Sequence, residues 1–232
     1  MRSTSAAIFF LLIGFPFAAA NSCDSFVDPK GRSVVDFSPP PAFIEVCSRN
    51  SLYCDVVMMM APPTLKIIAY FAPPDEWQRL LSGEALAFTR DLTVEQPSKF
   101  SPERFSELKR QIRNKEGETW DDTSGPRLQE SKVLNPMRVL DESTDMISFV
   151  VGGRFIVTTG EALQKEMTAI TVKTIVQLKG ETLSLYTHEQ RDQPFDGELT
   201  IALARQWLEC IKAKNVQAKG SNEGLEPIPA QP

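Results

Sequence analysis

The segment Glu118-Thr119-Trp120-Asp121-Asp122 sets three carboxylates around one indole. Carboxylates so close together have two chemical uses. They can hold a hard cation, although the Asp-x-Asp-x-Asp-Gly spacing of calcium loops is absent here. They can also act as a general acid and base, which requires two of them to face a cleft about 5–10 Å apart. The commoner reading of such a run is solvated loop charge. Trp120, Asp121 and Asp122 are therefore the binding candidates, because an exposed aromatic flanked by charge anchors interfaces. A carboxylate-dependent hydrolase using Asp121, Asp122 or Glu118 is the alternative.

His188 is the only histidine of the chain. It falls in Thr-His-Glu-Gln-Arg-Asp, just past the last expected strand, and reads as a surface residue. Spacing supplies no nucleophile for it to activate. One histidine and four cysteines fit for pairing leave too few ligands for zinc. Met58-Met59-Met60 brings thioether copper ligation to mind. Successive side chains of a strand point to opposite faces, so the three cannot converge on one ion, and core packing is the better account. No catalytic residue, metal or cofactor is assigned.

The compartment is more legible. Arg2 precedes an uncharged apolar run from Ala6 to Phe15, Pro16 ends it, and Ala18-Ala19-Ala20 offers small residues for cleavage before Asn21. Residues 1–20 are thus expected to be a signal peptide whose apolar run is too short to span a bilayer, and no second apolar segment of membrane length follows. The protein is expected to be exported, to the periplasm or beyond, with no membrane span after cleavage. Cys23, Cys47, Cys54 and Cys210 all lie after the cleavage point, an even count that favours disulfides, with three possible connectivities. The short loop between Cys47 and Cys54 favours that pair, which leaves Cys23 with Cys210. A net charge of −5 and a pI near 5.1 provide no footprint for nucleic acid.

Periodicity places the elements. Residues 21–45, with Pro39-Pro40-Pro41, read as an extended lead-in to one α+β domain over 46–215, and residues 216–232 as a disordered tail. Strands are expected over Tyr53–Met60, Leu65–Phe71 and Ala87–Val94, with a short helix over Asp75–Leu81 between the last two. Ser101 and Pro102 open a helix running to about Lys115, with Phe105, Leu108 and Ile112 as its apolar stripe. Residues 117–136 read as a long loop. Strands follow over Met137–Leu140, Met146–Val151, Thr168–Leu178 and Leu183–Tyr186, with Gly152-Gly153 set to break or bulge the second. The last two share a tight turn at Lys179-Gly180-Glu181, and Ile170, Val172, Thr174 and Val176 occupy one face. Asp196 or Gly197 caps a closing helix to about Lys214.

This order resembles the PsbP/Mog1-like family, an α/β/α sandwich in which an antiparallel sheet is flanked by helices. The resemblance rests on residues 146–214: Thr168-Ala169-Ile170-Thr171-Val172, the turn through Gln177-Leu178-Lys179-Gly180-Glu181, Leu183-Ser184-Leu185-Tyr186, and a helix containing Ala204-Arg205-Gln206-Trp207. It implies an assembly or accessory factor that binds a protein partner, as members of this superfamily do, although its exported bacterial members mostly lack an assigned activity, and it transfers no site residue. The expected function is that of an exported, non-enzymatic, partner-binding protein of the cell envelope or a secretion system. The alternatives are the hydrolase above and a secreted effector or structural component.

Overall fold

The computed structural model describes residues 23–51, 54–55, 65–83, 89–118, 131–159 and 163–217. In these, seven strands form one sheet: β1 (Ile44–Glu45), β2 (Ile67–Ala72), β3 (Arg90–Glu95), β4 (Ser131–Glu142), β5 (Met146–Thr159), β6 (Leu163–Leu178) and β7 (Glu181–Arg191). Three helices accompany them: α1 (Pro74–Leu81), α2 (Pro102–Asn114) and α3 (Glu198–Gln217). The strand order is β1-β2-β3-β7-β6-β5-β4, antiparallel at every step. β4 to β7 form a meander, and the chain reaches it from β3 by a crossover carrying α2. The class is α+β, with the sheet dominant.

Each strand's alternation decides which helix it meets. Val172 and Val176 of β6, Leu183 and Leu185 of β7, and Leu92 and Val94 of β3 lie in the core beneath Ile201, Ala204, Trp207, Leu208 and Ile211 of α3. Residues of opposite parity, Ile147 and Phe149 of β5 and Ile175 of β6, pack instead on Phe105 and Ile112 of α2. α1 lies over the other end of that second face, where Trp77 packs on Tyr70 and Ala72. Helices thus cover both faces of the sheet.

Local chemistry holds the helices in place. Ser101 Oγ accepts from the Arg104 amide at 3.3 Å and Pro102 fills the first turn, so α2 starts where the sequence predicts. The buried Lys109 donates to the carbonyls of Ser143 (2.6 Å) and Thr144 (3.2 Å), fastening α2 to the β4–β5 turn. Glu76 of α1 accepts from the Thr89 amide and hydroxyl, both at 2.6 Å, and so docks α1 on the start of β3.

The lead-in is extended and is part of the core. Val35, Phe37 and Phe43 are buried in the α3 layer, and the Trp207 indole donates to the Phe37 carbonyl at 3.2 Å. Asn215 closes the same seam: its Oδ1 accepts from the Asp36 amide and its Nδ2 donates to the Asp36 carbonyl. Both expected disulfides are present. Cys23 is bonded to Cys210 of α3 (Cα–Cα 5.6 Å), and Cys47 to Cys54 (4.9 Å).

Several boundaries differ from expectation. β4 begins at Ser131, so residues 131–136 of the expected 117–136 loop are strand, with Asn135-Pro136 absorbed at register shifts on an edge. Gly152-Gly153 does not interrupt β5, whose pairing with β6 runs unbroken from Met146 to Thr159. The irregularity expected there falls instead on the β4 side, where the register shifts on both sides of the Asn135–Gly152 pair. Cys54 and Asp55, placed at the start of a strand by the sequence, are helical. The remainder of that segment, with Met58-Met59-Met60, lies outside the described residues.

Candidate functional site

Between α1 and α2, the second face of the sheet carries a polar strip built from two adjacent rungs. In the first, Asp91 of β3 is paired with His188 of β7, and His188 with Thr171 of β6. In the second, Thr93 is paired with Tyr186, and Tyr186 with Lys173; Tyr70 of β2 continues the rung on the far side. Direct cross-strand partners have Cβ atoms about 4.5–5.5 Å apart, so these side chains are mutual neighbours.

They are also hydrogen-bonded along the strip. Thr171 Oγ1 and His188 Nδ1 are 3.0 Å apart. Lys173 Nζ donates to the Tyr186 hydroxyl at 2.7 Å, and that hydroxyl donates to Glu95 Oε2 at 2.9 Å. The ammonium also lies 4.6 Å from the Tyr186 ring centroid. Desolvation lowers the Lys173 pKa from its ordinary value, with Glu95 acting in the opposite sense. Asp91 is the deepest member. Burial pushes its carboxyl above the usual aspartate range, against the opposing pull of His188 and of hydrogen bonds from Tyr70 and Thr93. A half-buried ammonium and a buried carboxyl, both perturbed and set in one strip, are the kind of pair found at functional sites.

Next to the first rung Gln190, Ala169 and Gly153 pair in a row, the last two of them small. A Cβ placed on Gly153 would meet nothing within 4 Å, so the face is open there.

His188 therefore does not lie in a loop. β7 runs on to Arg191 and holds it half-buried in mid-ladder. Its sequence disguises this, because beyond Tyr186 both faces of β7 carry polar side chains. On the α3 face Thr187 and Glu189 are buried, and Glu189 accepts from Thr200 Oγ1 at 2.7 Å. Of the residues singled out from the sequence, Glu118 is exposed just past α2, its carbonyl accepting from the Met137 amide at 3.0 Å. Trp120, Asp121 and Asp122 lie outside the described residues. Sequence reasoning missed Asp91, Thr93, Thr171, Lys173 and Tyr186. The available signal was that Thr171, Lys173, Tyr186 and His188 alternate against the apolar set already assigned to the opposite face.

Among the described residues no group of three or more His, Cys, Asp or Glu side chains could hold a metal ion, and no helix is long and apolar enough to cross a membrane. No protein-family model matches the chain, and no curated protein matches it.

Proposed function

We propose that this is an exported, non-enzymatic accessory factor that binds a protein partner at the end of the sheet where β5 and β6 outrun their neighbours. The observation that carries this reading is the register. β4 begins opposite Phe155 and β7 ends opposite Thr168, yet β5 and β6 stay paired from Ile156↔Glu166 to Thr159↔Leu163. Among the described residues, a two-stranded arm therefore projects beyond the seven-stranded sheet, with sheet partners on neither outer edge. Such edges present rows of backbone donors and acceptors that other chains can use. The true sheet edges are better protected: β1 has two residues, and β4 carries Pro136 and three register shifts.

Two disulfides fit folding in an oxidising compartment, in keeping with the signal peptide of residues 1–20. Helices on both faces of an antiparallel sheet, closed by α3, support the PsbP/Mog1-like α/β/α reading and the accessory roles it implies. The hydrolase alternative gains nothing from the strip, because Asp91 and Glu95 stand four residues apart on one strand, about 13 Å, and a carboxylate pair needs about 5–10 Å.

Amino-terminal sequencing of the mature protein is expected to begin at Asn21. The contact itself is tested by replacing residues 156–166 with Asn-Gly, which closes a two-residue hairpin between Phe155 and Met167. In-cell crosslinking should then lose the partner seen with the wild type, while melting temperature is kept. Retention of the same partner by the shortened protein would sink the arm as the contact.

A further inference from the structure

The geometry points to a second site, independent of the arm: Lys173, His188 and Thr171 form a receptor for a small monocarboxylate on the open face beside Gly153. The donors come first. Lys173 Nζ has three hydrogens and spends one on Tyr186; among the described residues no carboxylate lies within salt-bridge distance of it. His188 Nδ1 is engaged by Thr171, and among the described residues nothing hydrogen-bonds its Nε2. When Thr171 Oγ1 donates to Nδ1, the neutral ring carries its hydrogen on Nε2, which is then free to donate to a ligand oxygen. Half-buried donors without acceptors are costly, and a ligand oxygen removes that cost.

Position comes second. Lys173 and His188 are diagonal neighbours on adjacent strands, with backbones about 7–8 Å apart, a span their side chains can close on the two oxygens of one carboxylate. Ala169 and Gly153 leave room beside Thr171 and His188 for a short ligand body.

Charge decides the class. Lys173 offers one full positive charge, while Glu95 and Asp91 lie close by, so a dianion such as phosphate is opposed where a monoanion is balanced. Asp91 is faced by Tyr70 of β2, Glu76 of α1 and His188 of β7, with Thr93 beside it and Lys173 and Glu95 one rung or more away. Once protonated it no longer repels an anion, so affinity should rise as pH falls through its ionisation.

Because His188 is the only histidine, its ring signals in an NMR spectrum of the full mature protein report this site without assignment ambiguity. Sodium acetate should shift them saturably, and sodium chloride at equal ionic strength should not. Lys173→Met, which keeps the stem against Tyr186, should weaken acetate at least about tenfold. Asp91→Asn should tighten acetate at neutral pH and flatten its pH dependence. Equal, unsaturating shifts with acetate and chloride would overturn the proposal. So would phosphate outcompeting acetate, or Asp91→Asn weakening acetate while the protein stays folded.

Discussion

Two buried carboxylates, one on each face of the sheet, have opposite surroundings. Glu189 faces α3 and is 2% exposed; Asp91 faces the strip and is 9% exposed. Burial acts first on both and raises the pKa. At Glu189 it is outweighed by the Thr200 hydroxyl, by Arg191 at 2.6 Å and by Arg90 at 3.4 Å, so the group is held below the usual glutamate value. Asp91 has two hydroxyls and an imidazole but no guanidinium, and ends above the usual value. Glu189 is a structural clamp that fixes the first turn of α3. Asp91 is kept in an environment that disfavours its charge.

Experiments can break or sharpen this contrast. The largest effect is expected from the joint Cys23→Ser and Cys210→Ser change on the α3 face. It frees a loop of 187 residues' separation and should cost about 5 kcal/mol in urea unfolding by the chain-entropy account. Trp207→Ala comes next, at about 3–4 kcal/mol, because it removes a fully buried ring stacked edge-on against Phe71 at 6.1 Å. Glu189→Gln keeps a partner for Thr200 but loses the charge that two part-exposed arginines share, so about 1–2 kcal/mol is expected at neutral pH. Comparable losses from α3-face and strip substitutions would undo the distinction.

The smallest effect, and the most telling in sign, belongs to Asp91→Asn. Glu189, with its depressed folded pKa, stabilises above its unfolded value and loses that contribution as pH falls through the folded one. Asp91 does the reverse: its contribution is full below its unfolded value and is lost as pH rises through the raised folded value. Asp91→Asn should therefore match wild type near pH 3 and equal or exceed it in thermal stability at pH 7, by up to about 1 kcal/mol. A variant less stable than wild type at pH 7 would mean that the Asp91 charge is structural after all.

Features that depend on a few adjacent residues were readable in the chain alone. The Ser101-Pro102 cap, the apolar stripe of Phe105, Leu108 and Ile112, the Lys179-Gly180 turn with its positive φ angles and the apolar face of β6 are all local, and all are found. Both cysteine pairs followed from spacing and count. The extent of β4 and β7 was not readable, because their ends are polar and are strand only by virtue of the neighbours that pair with them. Gly152-Gly153 looked like a break for the same reason.

What the sequence by itself determined is the class of the fold, its helices and its disulfide pairs, each encoded in a short window or a simple count. Only the tertiary structure decided that Asp91, His188 and Thr171 stand in one row. Alternation tells which residues share a face of their own strand, but the neighbours across the sheet depend on strand order. Here that order inserts β7 between β3 and β6 and brings together residues far apart in the chain.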